Sequence, residues 1–277
     1  MLSTAEVERY NIEGYLPGRA LLTAAETELY RAGCERCCGP VLPVSGRRQS
    51  SNRVKPYLLF PWAAALVRHP RILDCVQALI GPDIMVFHTT VWLKEPHSEN
   101  FVPWHQDATY FGLAPFEHVT AWVALTRSTR ENGCVQIIPR SHTTGQRPHF
   151  DQPDPKAMLS RGQTLADTVD ERQALDMVLQ AGEVSFHHTL TVHRSGINPS
   201  NERRIGIGFS YIPTRVRHVG PTRLSATLVR GEDRFGHFDH EPAPATDADD
   251  AAVAAHADSV TRFWRASESI PAMALIH

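Results

Sequence analysis

The chain has 277 residues, with 28 Lys and Arg against 30 Asp and Glu for a formal net charge of −2 and an isoelectric point near 6.7. No strong field therefore points to nucleic acid or an anionic membrane surface as a partner. No apolar run reaches the length of a membrane span and no charged-then-apolar leader opens the sequence, which sets the expectation of a cytoplasmic protein.

In chain order, Ser3-Thr4-Ala5-Glu6 and Thr23-Ala24-Ala25-Glu26 read as capping boxes, in which a hydroxyl and a carboxylate satisfy the unpaired amides of a helix start. They predict two helices, the second reaching towards Cys38. Cys34-Glu35-Arg36-Cys37-Cys38 contains half of a structural zinc motif. No second pair follows, and five cysteines, counting Cys75 and Cys134, form an odd set better suited to reduced thiols than to disulfides. Pro70 opens a third helix and Gly81 closes it, with Ile72, Leu73, Val76, Leu79 and Ile80 at helical spacing. Residues 1–82 thus read as a mostly helical support.

From Ile84 the pattern turns to short strands, over 84–93, 119–126, 134–138, 177–179, 183–186 and 204–212. Residues 140–172, with Gly145, Pro148, Pro153 and Pro155, are too long and polar for a hairpin and are expected to form a lid over the mouth of a barrel. Residues 241–250 read as a solvated linker into a final helix over 250–268. Helices first and strands later indicate one domain, 1–277, mainly β with flanking α, in which a barrel is backed by N-terminal helices.

His105-Gln106-Asp107 is the most informative tripeptide in the chain. Residues i and i+2 of an extended strand share a face, so His105 and Asp107 can hold one ion while Gln106 points elsewhere. His193, far downstream, is suited to a distant strand brought alongside. Two histidines and a carboxylate make the facial triad of non-haem iron(II) oxygenases, which leaves positions open for substrate and dioxygen. His187 and His188 compete for the third place by residue type, but only His193 opens a His-x-Ser sequence shortly before Arg204. That arginine starts a run of period two, with Ile205, Ile207, Phe209 and Tyr211 on one face and Arg204, Gly206, Gly208 and Ser210 on the other. Glycines beside an inward arginine mark the close approach of something bulky. An arginine fork matches a carboxylate, which suits a dicarboxylic keto acid that chelates the metal through its other end.

Pro103-Trp104-His105-Gln106-Asp107, Glu131-Asn132-Gly133 leading to Ile138-Pro139-Arg140-Ser141-His142, Gly182-Glu183, and His193-Arg194-Ser195-Gly196-Ile197-Asn198-Pro199-Ser200 with Arg204 together resemble the phytanoyl-CoA dioxygenase family, over residues 10 to 235. The resemblance implies a double-stranded β-helix (a jelly-roll, cupin-like barrel), iron(II), 2-oxoglutarate as cosubstrate and dioxygen as oxidant. It implies His105, Asp107 and His193 as catalytic metal ligands and Arg204 as the cosubstrate arginine. The activity implied is hydroxylation of an unactivated C–H bond in a small molecule, with release of succinate and carbon dioxide. Related halogenases carry Ala or Gly where Asp107 stands and bind halide in the vacated position. Arg140 departs from the family, which usually has glycine in its Pro-Gly-Ser-His turn.

Other residues are assigned by position alone. Ser195 shares the face of His193 and could donate to the cosubstrate carboxylate; Trp122 and His88 are candidates for its surroundings. Gln106 and Tyr110 are candidate substrate contacts. Arg215, with Arg217, His218 and Arg223, raises the expectation of an anionic substrate, against the alternative of a solvated strand end. His118, His142 and His149 read as loop residues. A cupin-like metal enzyme without 2-oxoglutarate would leave Arg204 unexplained, and a non-catalytic binding barrel would keep the ligands as relics.

Overall fold

Period-two alternation builds the largest sheet. In the computed structural model, which describes residues 1–37 and 51–269, seven strands lie in the order Tyr15–Ala20, Glu183–His188, Val119–Ala124, Arg204–Pro213, Ile84–Lys94, Ser225–Arg230 and Asp239–His240. All neighbours are antiparallel except the last pair. One face of this sheet is apolar: Ile205, Ile207, Phe209 and Tyr211 join Val91, Val123 and Phe186 in the main core. The other face carries His88, Thr90, Trp92, Thr120, Trp122, Arg204 and Ser210 into a cavity. A smaller antiparallel sheet, in the order Val102–His105, His193–Ser195, Val135–Ile137 and Leu175–Met177, supplies further residues of the same cavity. The architecture is a double-stranded β-helix, mainly β with flanking α.

Helices cover the apolar face of the large sheet, as their caps foretell. The first runs Thr4–Glu13 behind a complete Ser3–Glu6 capping box. The second runs Ala24–Cys37, where Thr23 N–H meets Glu26 Oε2 at 2.7 Å and Glu26 N–H meets Thr23 Oγ1 at 3.2 Å. The third spans Pro70–Ile80 and stops at Gly81, whose positive φ of 96° suits glycine. A further short helix, Pro61–Leu66, was not foreseen. Nor was the strand Tyr15–Ala20, since Pro17 and Gly18 within it argue against a strand; it is tolerated because it lies at the sheet edge. Cys34, Cys37, Cys75 and Cys134 are free thiols, and Cys38 lies outside the described residues.

Two expectations are corrected. Residues 140–172 are not structureless: they contain a turn of 3-10 helix, Ser141–Thr144, and a hairpin pairing His149–Asp151 with Gln163–Leu165. Glu241 does not begin a solvated linker. Its side chain is 3% exposed and meets Lys55 Nζ at 2.7 Å, Tyr57 Oη at 2.9 Å, and the hydroxyls of Ser225, Thr227 and Ser259 at 2.8 Å each. Short-range polarity hid this, because the partners come from three remote segments. Together with the burial of Phe263 and Trp264, the cluster fastens the final helix, Asp250–Ser269, to the barrel. Asp249 caps that helix through Ala252 N–H at 2.9 Å. Among the described residues no helix is long and apolar enough to cross a membrane.

Burial alone would raise the Glu241 carboxyl, but the Lys55 charge and its hydrogen bonds outweigh that and hold it low. Its stabilisation is therefore present above the ordinary carboxylate range and is lost as pH falls through the lowered value. Lys55→Met leaves a buried carboxylate unpaired and should cost about 3–5 kcal/mol in chemical denaturation, whereas Lys55→Met with Glu241→Leu should recover most of that loss. Equal loss in the double variant would show that the hydroxyls, not the ion pair, hold the helix.

Candidate active site

His105 closes the strand Val102–His105, His193 opens His193–Ser195, and the two residues are direct partners across the antiparallel ladder. Their rings therefore emerge side by side, with centroids 4.1 Å apart. Gln106 remains extended (φ −119°, ψ 133°), after which Asp107 begins a short helix, Asp107–Phe111. Asp107 is thus not a strand residue as expected, yet the extended Gln106 still returns its carboxylate to the face of His105. Asp107 Oδ1 lies 3.5 Å from His105 Nε2 and 3.7 Å from His193 Nε2. Bonds of about 2.1 Å to one ion can span such spacings.

The protonation states suit a divalent cation. His105 Nδ1 faces the Pro103 carbonyl at 2.9 Å and His193 Nδ1 faces the Thr191 carbonyl at 2.9 Å, so each proton sits on Nδ1 and each Nε2 is left as a ligand. Burial and the neighbouring His105 push His193 well below the ordinary imidazole range. Burial works against the Asp107 carboxylate, but the surrounding histidines, His193 first and then His105 and His187, together hold it well below its usual value. One anion and two neutral imidazoles are the donor set a ligated metal requires. Among the described residues, this cluster is the one whose ligand atoms converge for a metal.

Asp107 Oδ2 faces away from the two ligand histidines and accepts from Thr120 Oγ1 at 2.7 Å. Thr120 has one proton to give, so His118 Nε2, 3.0 Å away, must be the donor to Thr120 Oγ1, and His118 Nδ1 accepts from Thr189 Oγ1 at 3.0 Å. His118 does lie in a loop, just before the strand Val119–Ala124, but it is a buried relay residue there, with its imidazole pushed down to about 4 by burial. His187 also faces this oxygen, at 3.6 Å; it lines the cavity beside the triad but lies outside the converging ligand set. His188 accepts from Leu190 N–H instead.

At the other end of the cavity, Arg204 is 1% exposed, donates to the Gly133 carbonyl and, at 3.2 Å, to Ser195 Oγ, and has no partner for Nε among the described residues. Trp122 lies against the guanidinium, 5.5 Å from ring centre to Cζ. A side chain at Gly206 would collide with that indole, so the bulky group expected beside the glycines is Trp122 itself. Lys94 was missed. It is fully buried, pairs with Arg204 in register, and donates to Ser195 Oγ and the Gly196 carbonyl. Reading the strand as ending at residue 93 left it out, although it keeps the alternation of His88, Thr90 and Trp92.

His88 and Tyr110 line the cavity; His88 is 3.1 Å from Thr90 Oγ1 and stacks on Phe263 at 4.2 Å, and Tyr110 Oη meets Ser160 Oγ at 3.0 Å. Gln106 does not face the cavity. Its amide is used up by the Gly145 and Leu190 carbonyls at 3.0 and 2.7 Å and by Arg147 N–H at 2.7 Å, which clamps the loop behind the triad. Arg215 is likewise outside, exposed and paired with Glu117 at 2.5 Å, because buried Val216 turns its face of the chain away. Arg217 and Arg223 are exposed too, Arg223 on Asp239 at 2.6 Å. His149 is fully buried and accepts from Gln106 N–H at 3.0 Å, while His142 meets the Asn11 carbonyl at 3.0 Å. Arg140 takes the left-handed conformation, φ 63°, that a glycine would adopt freely, and is held there by Glu13 at 2.7 Å.

The family model for phytanoyl-CoA dioxygenase (PhyH) matches residues 10–206. The chain belongs to the phytanoyl-CoA dioxygenase family. It is 32% identical to the human peroxisomal phytanoyl-CoA dioxygenase over 168 residues, which is 59% of this chain and 49% of the human protein, so the match spans about half of that relative. It is 26% identical to methylphosphonate hydroxylase of Gimesia maris over 88% of this chain and 98% of that protein. Among solved structures, the non-heme monooxygenase ThoJ in its apo form is 33% identical with a TM-score of 0.83, covering 95% of this chain and 98% of that one; its nickel complex gives 0.80. Iron(II) and 2-oxoglutarate are the cofactor and cosubstrate of this family, and the residues present fit both: three converging groups that could hold the metal, and a buried arginine whose Nε has no partner among the described residues for the carboxylate.

Thr120→Val keeps the shape of the side chain and removes the donor to Asp107 Oδ2. Affinity for iron(II), or for nickel(II) as a surrogate, should fall about 10–100-fold in anaerobic titration with little change in melting temperature. Unchanged metal affinity would show that the relay from His118 does not orient the ligand.

Proposed function

We propose that the protein is an iron(II)- and 2-oxoglutarate-dependent dioxygenase that hydroxylates an unactivated C–H bond of a small molecule, releasing succinate and carbon dioxide. The observation that carries this reading is the meeting of His105, Asp107 and His193 in one cavity with Arg204, whose Nε lacks a partner among the described residues. Iron(II) held by the triad supplies activation of dioxygen, coupled to oxidative decarboxylation of the cosubstrate. Arg204 and Ser195 take the far carboxylate and thereby point the keto-acid end at the triad, and Trp122 walls that subsite. Asp107 fills the ligand position that halide takes in related halogenases, which supports hydroxylation over chlorination.

The substrate side of the cavity is bounded by Tyr110, Phe111, Leu159 and Ser160. We assign residues 140–172 the role of a cover, since Leu159 and Ser160 belong to that segment and the latter is tied to Tyr110. With Arg215 paired to Glu117 and Arg223 to Asp239, those two side chains are engaged on the surface and do not reach the cavity as anchors for an anionic substrate.

Anaerobic addition of iron(II) and 2-oxoglutarate should produce a visible charge-transfer band. Arg204→Ala should weaken 2-oxoglutarate binding by about one to three decades, and Asp107→Ala should abolish turnover while the protein stays folded. In a metabolite screen for substrate-dependent succinate, the product formed under labelled dioxygen with excess chloride should gain one labelled oxygen. A chlorinated product, or no 2-oxoglutarate dependence with any substrate, would overturn the reading.

A further inference from the structure

Lys94 and Arg204 are register partners on neighbouring antiparallel strands, both essentially out of contact with solvent, and both donate to the same atom, Ser195 Oγ. Among the described residues no carboxylate is paired with either. Two like charges in one dry place without a counter-ion are strongly disfavoured, so the pair implies an anion that the chain does not itself provide. We propose that Lys94 is a positioning cation behind the cosubstrate subsite, acting through Ser195, and that it takes up a proton from solvent when the far carboxylate of 2-oxoglutarate arrives.

The division of labour follows from chemistry. Arginine keeps its proton in a protein, and although burial pushes Arg204 down to about 10, that is still charged near neutrality. The lysine must therefore yield. Burial, and then the Arg204 charge, push Lys94 down to about 6. The other titratable group facing it is Cys134, whose thiol is pushed up to about 12 by burial and so offers no anion. In the ligand-free protein Lys94 is then a neutral amine that donates to Ser195 Oγ and the Gly196 carbonyl. Ser195 meanwhile spends its own proton on the Gly133 carbonyl at 3.2 Å. A carboxylate beside Arg204 supplies the missing charge: Lys94 becomes ammonium, and Ser195 can turn its proton to the carboxylate while Lys94 still donates to its oxygen. The sign is fixed. Because the bound state holds the extra proton, affinity for 2-oxoglutarate falls as pH rises above about 6, by at most tenfold per unit.

The inference rests on Arg204 being the cosubstrate anchor, and calorimetry on the anaerobic iron(II)-loaded protein separates the two. Binding is measured near pH 7.5 in buffers of different ionisation enthalpy, with 2-oxoglutarate and with 2-oxovalerate, which keeps the keto-acid end but lacks the far carboxylate. Uptake of close to one proton is expected with 2-oxoglutarate and none with 2-oxovalerate, and Lys94→Met should abolish the uptake and flatten the pH dependence of Kd between pH 6 and 8. A purely structural lysine would change neither. No uptake in the wild type, equal uptake with both acids, or wild-type uptake in Lys94→Met would overturn the proposal; the first two outcomes need no variant. If Arg204→Ala leaves Kd for 2-oxoglutarate unchanged, the anchor reading itself fails, whereas a weakened Arg204→Ala without proton uptake defeats only the role of Lys94.

Discussion

The pairing of His105 with His193 across two adjacent antiparallel strands is the contact from which the rest of the site follows. Once the ladder sets those two residues opposite each other, their ring spacing is decided by backbone geometry and not by side-chain freedom. The carbonyls of Pro103 and Thr191 then fix both tautomers. Asp107 has only to be returned to the same face, which the extended Gln106 does, and its second oxygen is fastened by Thr120 on the opposite sheet. Both sheets must therefore be in place before three ligands converge.

The large sheet divides its labour by face. Its outward residues are core under a layer of helices, and its inward residues are chemistry. Small residues on the inward face of the Arg204 strand are what allow the tryptophan and the guanidinium to lie together, since Gly206 is filled by the Trp122 indole. The final helix reaches the same region from outside the barrel, through Phe263 on His88, so the wall of the cavity is coupled to an element anchored elsewhere by Lys55 and Glu241.

Three buried ionic clusters stand out among the described residues, and each has a different source of counter-charge. Lys55 and Glu241 satisfy one another with three hydroxyls and a phenol, which is a structural solution. Asp107 is surrounded by imidazoles, a solution completed by a cation. Lys94 and Arg204 carry the opposite imbalance, and an anion is the remedy. Charge left unbalanced by a well-packed interior is thus located within one cavity, where the proposed metal and cosubstrate carboxylate would supply its complement.

Local patterns were sufficient for the helix starts at Ser3 and Thr23, the stop at Gly81, and the alternating face of Ile205 to Tyr211, because capping and period two are short-range constraints. The triad and Arg204 were legible for a related reason: their residue types are scarce in such spacing, and the chemistry admits few substitutes. Contacts made between remote segments were not legible. Gln106 sits between two candidate metal ligands yet serves a loop, His118 is buried within its loop, His149 lies buried in a strand where a loop was expected, and Glu241 is enclosed by groups from three remote parts of the chain. Lys94 was lost to an error of one residue in a strand boundary. The sequence by itself determined the periodicities and the caps, since these depend on neighbours along the chain, and it named a candidate ligand set; only the tertiary structure decided which polar side chains are buried and with whom, because that depends on which strands the β-helix brings side by side.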